Sequence, residues 1–180
     1  MKFICIILFS FFELTTLLGQ RNNAELSFIA TCMIQFQNYY NSKKSLEYSM
    51  DVTNWKGTKE QYNQQLNNSY NSVLLTIENI EKELTMLKEV DVELNYKNIY
   101  LSFFRETKAN YIKYYPPLIA HMKYYGTPQM KSQEFYLNFL EFTNKDRSIL
   151  EKYGERLTTD RFFKKHGITP AMLKAFMKKE

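Results

Sequence analysis

Apolar residues recur along the middle of this chain with the spacing of one face of a helix. Between Thr58 and Leu87 they are separated by three or four positions, which is the seam of a packed helical bundle or coiled coil. The residues of this seam are Tyr62, Leu66, Tyr70, Val73, Ile77, Ile80, Leu84 and Leu87. Thr58 is a good N-cap residue, and Glu60 and Gln61 follow it in the first turn. The pattern predicts a long helix that begins directly after Thr58.

Three further segments show the same periodicity. The first runs from Glu25 to about Met50, and its apolar face contains Leu26, Ile29, Ala30, Met33, Phe36 and Tyr40. The next is formed by Leu94 (or Tyr96), Tyr100, Phe103, Thr107, Tyr111, Tyr114 and Leu118. The last is formed by Phe135, Phe139, Phe142, Ile149, Tyr153 and Leu157. No segment shows the strict alternation of a half-buried strand.

Short breaks separate these four periodic segments. They fall near Val52–Gly57, Val90–Glu93 and Gly126–Pro128. Short connections make sequential helices neighbours, so the sequence predicts an all-α fold, an antiparallel up-down-up-down four-helix bundle. Thr169-Pro170 is an N-cap and first-turn pair for a short C-terminal helix. Pro116-Pro117 lies inside the third segment, where a kink or a break is expected.

The first nineteen residues have the layout of a signal peptide. Met1-Lys2 supplies a positive start, Phe3–Phe12 is an almost unbroken apolar run, and Leu17-Leu18-Gly19-Gln20 offers a small residue for cleavage. The run is too short for a membrane span, which needs about 20 apolar residues, and Glu13 interrupts it. We therefore expect residues 1–19 to be a signal peptide and residues 20–180 to be a single exported domain.

Cysteine usage bears on the compartment. Cys5 leaves with the signal peptide and Cys32 is then alone, so no disulfide can form within the chain. Small extracellular domains of eukaryotes are often rich in disulfides. The absence of an intrachain disulfide here therefore favours a bacterial periplasm or cell surface. Cys32 lies beside the first apolar stripe, where free cysteines usually act as small hydrophobic residues.

The sequence contains few candidates for chemistry. Phosphate-binding glycine loops and the G-x-S-x-G nucleophile motif are absent. His121 and a methionine such as Met33, Met50 or Met86 could together bind haem or a metal. Neither histidine belongs to a Glu-x-x-His pair, however, so we expect no cofactor. We expect a non-enzymatic protein, although an enzyme that uses scattered Glu and Tyr side chains remains open.

The chain has fourteen tyrosines, and most are expected at the core or its boundary. Five of them converge in sequence on the proline pair. They are Tyr111, Tyr114, Tyr115, Tyr124 and Tyr125, and they could line an aromatic pocket.

Positive charge is concentrated at the C-terminus. Residues 20–160 contain 17 basic and 17 acidic side chains, whereas residues 161–180 have a net charge of +5. The basic residues of this tail are Arg161, Lys164, Lys165, Lys174, Lys178 and Lys179. The tail either closes one end of the bundle, with Leu173 and Phe176 inward, or lies on an anionic membrane surface; we favour the first. The neutral bundle offers no basic stripe for nucleic acid.

The signal-peptide end, the four amphipathic segments and the Phe-x-Lys-Lys-His-Gly segment that starts at Phe162 together resemble uncharacterised exported or surface helical-bundle proteins of Gram-negative bacteria. The resemblance implies an exported bundle that acts as a binding or interaction module for an unknown protein or small molecule. It supplies no catalytic or binding residues.

Overall fold

The computed structural model describes residues 2–51, 56–122 and 133–178, with side chains from residue 23 onward. All regular elements in these ranges are helices. They are α1 (Lys2–Met50), α2 (Lys59–Met86), α3 (Tyr96–Met122), α4 (Gln133–Leu157), α5 (Asp160–His166) and α6 (Pro170–Met177). The predicted four-helix bundle with a short C-terminal helix is confirmed, and α5 is an additional short helix before it. Within the described residues, no helix is both long and apolar enough to cross a membrane.

The bundle is built from sequential neighbours. Helix α1 packs against α2, α2 against α3, and α3 against α4, whereas α1 and α4 do not pack closely in the described part of the chain. The α2 seam is confirmed as the best-defined part of the core. Six of its eight residues are buried, and Tyr70 and Leu87 are half-buried against the core. Thr58 and Gln61 form the reciprocal hydrogen bonds of a capping box at the start of α2.

Two details of the long helices differ from the prediction. Helix α1 begins at Lys2 rather than near Glu25, because the intervening sequence contains no proline to stop a helix. Helix α3 continues through Pro116-Pro117, so of the kink or break expected there, the break does not occur. Both prolines lie on the exposed side of α3, where carbonyl groups that lose an N–H partner can bond to water.

The C-terminal tail packs on the bundle. Phe162 of α5 is fully buried, Leu173 of α6 is buried, and α6 packs against α1. Gly167 ends α5 in the left-handed region, with φ 64°, which glycine adopts without steric strain. The Thr169 hydroxyl then accepts a hydrogen bond from the Met172 N–H at the start of α6.

We expect the double substitution Leu173→Ala, Phe176→Ala to lower the thermal unfolding midpoint by several degrees, because it removes apolar contacts between α6 and the core. Lys174→Ala, at an exposed position of the same helix, is the matched control and should change the midpoint little. Melting curves by circular dichroism, with and without 0.5 M salt, measure the effect. An unchanged midpoint in the double variant, together with loss of binding to anionic vesicles, contradicts the packing role.

Candidate functional site

An apolar groove of about 670 Å³ lies between α1 and α4, with α3 as its floor. Helix α4 contributes a row of side chains at helical spacing. The row comprises Phe135, Phe139, Phe142, Asp146 and Leu150, and it extends for roughly 22 Å at 1.5 Å per residue. Helix α3 contributes Tyr115 and Met122, and α1 contributes Lys43, Glu47 and Met50. The groove is therefore an elongated apolar site with charged groups along one edge.

The groove stays open because α1 and α4 present unlike faces to each other. A closed bundle would need apolar side chains on α1 opposite the row on α4. Two of the three α1 side chains that line the groove are Lys43 and Glu47, whose charged ends must be paired or reach water. Phe139 and Leu150 consequently keep 41% and 42% of their surface exposed. Exposed apolar side chains that line one concave surface are typical of a binding site.

The floor of the groove is a rigid aromatic cluster contributed by three helices. Tyr115 stacks on Tyr111 and on Tyr70 of α2, with ring centroids 5.1 and 5.6 Å apart. The Phe142 and Tyr115 rings pack edge to face, with centroids 4.9 Å apart. The Tyr115 hydroxyl lies 2.8 Å from the Met50 sulfur, to which it donates. Burial, together with the nearby Glu47 and Asp146 carboxylates, raises the pKa of Tyr115, so its hydroxyl stays neutral.

One ion pair between α1 and α4 and one within α1 form the polar edge. The Lys43 ammonium lies 2.6 Å from an Asp146 carboxylate oxygen and 3.9 Å from Glu47. Asp51 and Arg147 also line the groove. The five charged side chains at the groove carry three negative and two positive charges, so a slight negative excess borders an apolar interior.

The predicted aromatic pocket corresponds only in part to this groove. Tyr115 lines the groove, and Tyr111 is buried beneath it, stacked on the Tyr115 ring. Tyr114 is half-buried and lies under the Lys113 ammonium, 4.6 Å from the ring centroid. Tyr124 and Tyr125 lie outside the described residues. The prediction missed the residues that α1 and α4 contribute to the groove. The phenylalanines of α4 were part of the fourth apolar stripe in the sequence, but they were not assigned to a pocket.

The candidate haem or metal ligands are dispersed. His121 lies beside Phe135, with ring centroids 5.8 Å apart. Met33 and Met86 are exposed on other helices, whereas Met50 packs on Tyr115. Among the described residues, no group of three His, Cys, Asp or Glu side chains is arranged to hold a metal ion. Cys32 is buried, and burial raises the pKa of its thiol to about 12, as expected for a core cysteine.

A buried cluster around His166 has no counterpart among the predictions from the sequence. Its Nδ1 lies 2.9 Å from a Glu25 oxygen of α1, and its Nε2 lies 2.8 Å from an Asp91 oxygen in the α2–α3 connection. All three side chains are at most 6% exposed. The two ring nitrogens of His166 are therefore each within hydrogen-bond distance of one carboxylate. The carboxylates lie against opposite ring nitrogens, and the cluster therefore fastens α5 to the bundle.

The electrostatics of Asp91 support this structural role. Burial raises the pKa of Asp91, but hydrogen bonds from the Leu94 N–H, Lys165 and His166 lower it more, and the resulting pKa is about 2. Lys165 also pairs with Glu93, at 2.6 Å. Of the predicted basic surface, Arg161, Lys164, Lys174 and Lys178 are exposed, Lys165 is held by these carboxylates, and Lys179 lies outside the described residues.

Comparison of the chain with protein-family models, with curated protein sequences and with solved structures finds no significant match. The groove and the His166 cluster are therefore interpreted from their own geometry.

Proposed function

We propose that this chain is an exported, non-enzymatic binding protein of the bacterial periplasm or cell surface that holds an apolar ligand in the groove between α1 and α4. The observation that carries the proposal is the groove itself, in which the partly exposed Phe135 and Phe139 rings adjoin an aromatic floor that includes the buried Phe142 and Tyr115. Its volume of about 670 Å³ is that of a site for a small organic molecule, and its few charged groups stand at the edge.

Export is supported by the apolar segment that ends at Gly19, with its positive start. Binding without catalysis is supported by the chemistry of the lining. The Lys43 ammonium is paired with Asp146, and the Tyr115 hydroxyl donates to the Met50 sulfur. These contacts occupy the polar groups, so that mainly apolar surface is available to a ligand.

A neutral apolar dye tests the proposal. Titration of N-phenylnaphthylamine should give saturable fluorescence enhancement with one site per chain. We expect Phe139→Ala to weaken dye binding about ten-fold, since losing one aromatic contact of a ligand is worth roughly 1–2 kcal/mol.

Tyr136→Ala is the matched control. Tyr136 is an exposed aromatic residue of the same helix, 64% exposed, but it does not line the groove. Its removal should leave dye affinity unchanged, and circular dichroism should show both variants folded. Equal loss of affinity in the two variants, or a fluorescence response that never saturates, contradicts binding in the groove.

A further inference from the structure

The charges along the groove select among apolar ligands. We infer that the ligand of this groove is an apolar molecule that carries a cationic group, an amine or a quaternary ammonium. This inference rests on the proposed function and adds the chemical class of the ligand.

The first argument is the distribution of charge on α1 and α4. The Lys43 ammonium serves two carboxylates, Asp146 at 2.6 Å and Glu47 at 3.9 Å. The Glu47 side chain is 57% exposed, and a pair of 3.9 Å is too long for a hydrogen bond. The Glu47 carboxylate can therefore accept a cation from a ligand while Lys43 remains on Asp146.

The second argument is the aromatic lining. Phe139 and Phe135 line the mouth of the groove, with stacked rings 6.3 Å apart, and Tyr115 lies at its floor. The face of an aromatic ring attracts a cation within about 6 Å, and the attraction grows as water is removed. When the apolar part of a ligand packs on these rings, its cationic group lies next to both the carboxylates and the ring faces.

The third argument is that the negative potential reaches into the groove. Besides burial, Glu47 and Asp146 each raise the pKa of Tyr111 and Tyr115, because a negative charge disfavours a tyrosinate nearby. The same potential disfavours an anionic ligand. An anionic ligand would have to share the Lys43 ammonium with Asp146, which already holds it at 2.6 Å.

Three ligands with one alkyl chain and different head groups test the inference. Decyltrimethylammonium, decanol and decyl sulfate are titrated below their micelle-forming concentrations by isothermal calorimetry, with the full chain after any processing in its host. We expect the cation to bind about ten-fold more tightly than decyl sulfate, with decanol between them. Glu47→Gln should weaken binding of the cation about three-fold, as for one partly exposed charge pair, and leave decanol unchanged.

Glu155→Gln removes the same charge from an exposed position of α4 outside the groove, and it should leave all three affinities unchanged. Equal binding of the three ligands, or preference for the sulfate, overturns the cationic class and leaves the proposed function standing. Failure of all three to bind overturns both. A three-fold loss in Glu155→Gln as well as in Glu47→Gln shows a general charge effect and overturns the role of Glu47.

Discussion

Replacing Ile77 or Ile80 with alanine is expected to lower the free energy of unfolding by about 2–5 kcal/mol. Both side chains are at most 1% exposed in the middle of the α2 seam, so truncation removes buried methyl and methylene groups and leaves a cavity. Helix α2 packs against both α1 and α3, and neither neighbour can move into the cavity without losing its own contacts. Urea unfolding followed by circular dichroism measures the change.

Asn79→Ala is the control for these variants, because Asn79 lies between the two isoleucines but is exposed. Its effect should be about 0.5 kcal/mol or less. Equal and small changes at all three positions contradict a core that is centred on this seam.

The α2 seam was predictable because apolar residues recur at the seam positions and mostly polar residues lie between them. The first stripe was less reliable. Its prediction placed Met33 and Tyr40 on the buried face, and this is wrong, since both are at least 36% exposed. Cys32 and Tyr39, one position earlier, are fully or almost fully buried instead. Adjacent tyrosines make this choice difficult because either ring can be half-buried with its hydroxyl in water.

The same ambiguity affected the third stripe. Tyr114 was assigned to the core, but Tyr115 is the buried member of the pair and Tyr114 is half-buried. A rotation of one residue, about 100° on a helix, decides which tyrosine reaches the groove. The aromatic pocket predicted from the tyrosines near Pro116-Pro117 overlaps the groove only at Tyr115, and the packing of α3 against α4 determines the other aromatic residues beside it.

The groove could be predicted only by knowing that α1 and α4 do not pack closely against each other in the described part of the chain. Phe139 continues the apolar stripe of α4, and the corresponding positions of α1 hold Lys43 and Glu47. The mismatch is visible in the sequence only when the two helices are known to face each other. The His166 cluster was still harder to predict from the sequence, because its three members come from α1, the α2–α3 connection and α5.

We expect His166→Ala to lower the free energy of unfolding by about 3 kcal/mol, because it removes the buried imidazole that contacts both the Glu25 and the Asp91 carboxylates. Lys165 continues to neutralise Asp91, which keeps the loss at the lower end of that expected for a broken buried pair. Lys164→Ala, at the exposed neighbouring position, is the control and should change stability by about 0.5 kcal/mol or less. A thermal midpoint as high in His166→Ala as in Lys164→Ala contradicts the fastening role.

The cluster also predicts the acid limb of stability. The pKa of Asp91 falls from 3.8 to about 2 on folding, so its contribution is present above pH 4 and is lost as the pH falls toward 2. Asp91→Asn should therefore flatten the decline of the unfolding midpoint between pH 4 and pH 2. If the unfolding midpoint of Asp91→Asn falls with pH as steeply as that of the unmodified chain, the acid sensitivity comes from other carboxylates.

A double-mutant cycle separates the imidazole contacts from general damage to α5. Glu25 contacts Nδ1 of His166 directly, so Glu25→Gln should destabilise the unmodified chain much more than it destabilises His166→Ala. Residues in one hydrogen-bonded network have coupling energies of about 0.5–3 kcal/mol, and we expect a value above 1 kcal/mol here. Additive effects of Glu25→Gln and His166→Ala would show that α5 is held by the burial of Phe162 and its neighbours rather than by the carboxylates that flank His166.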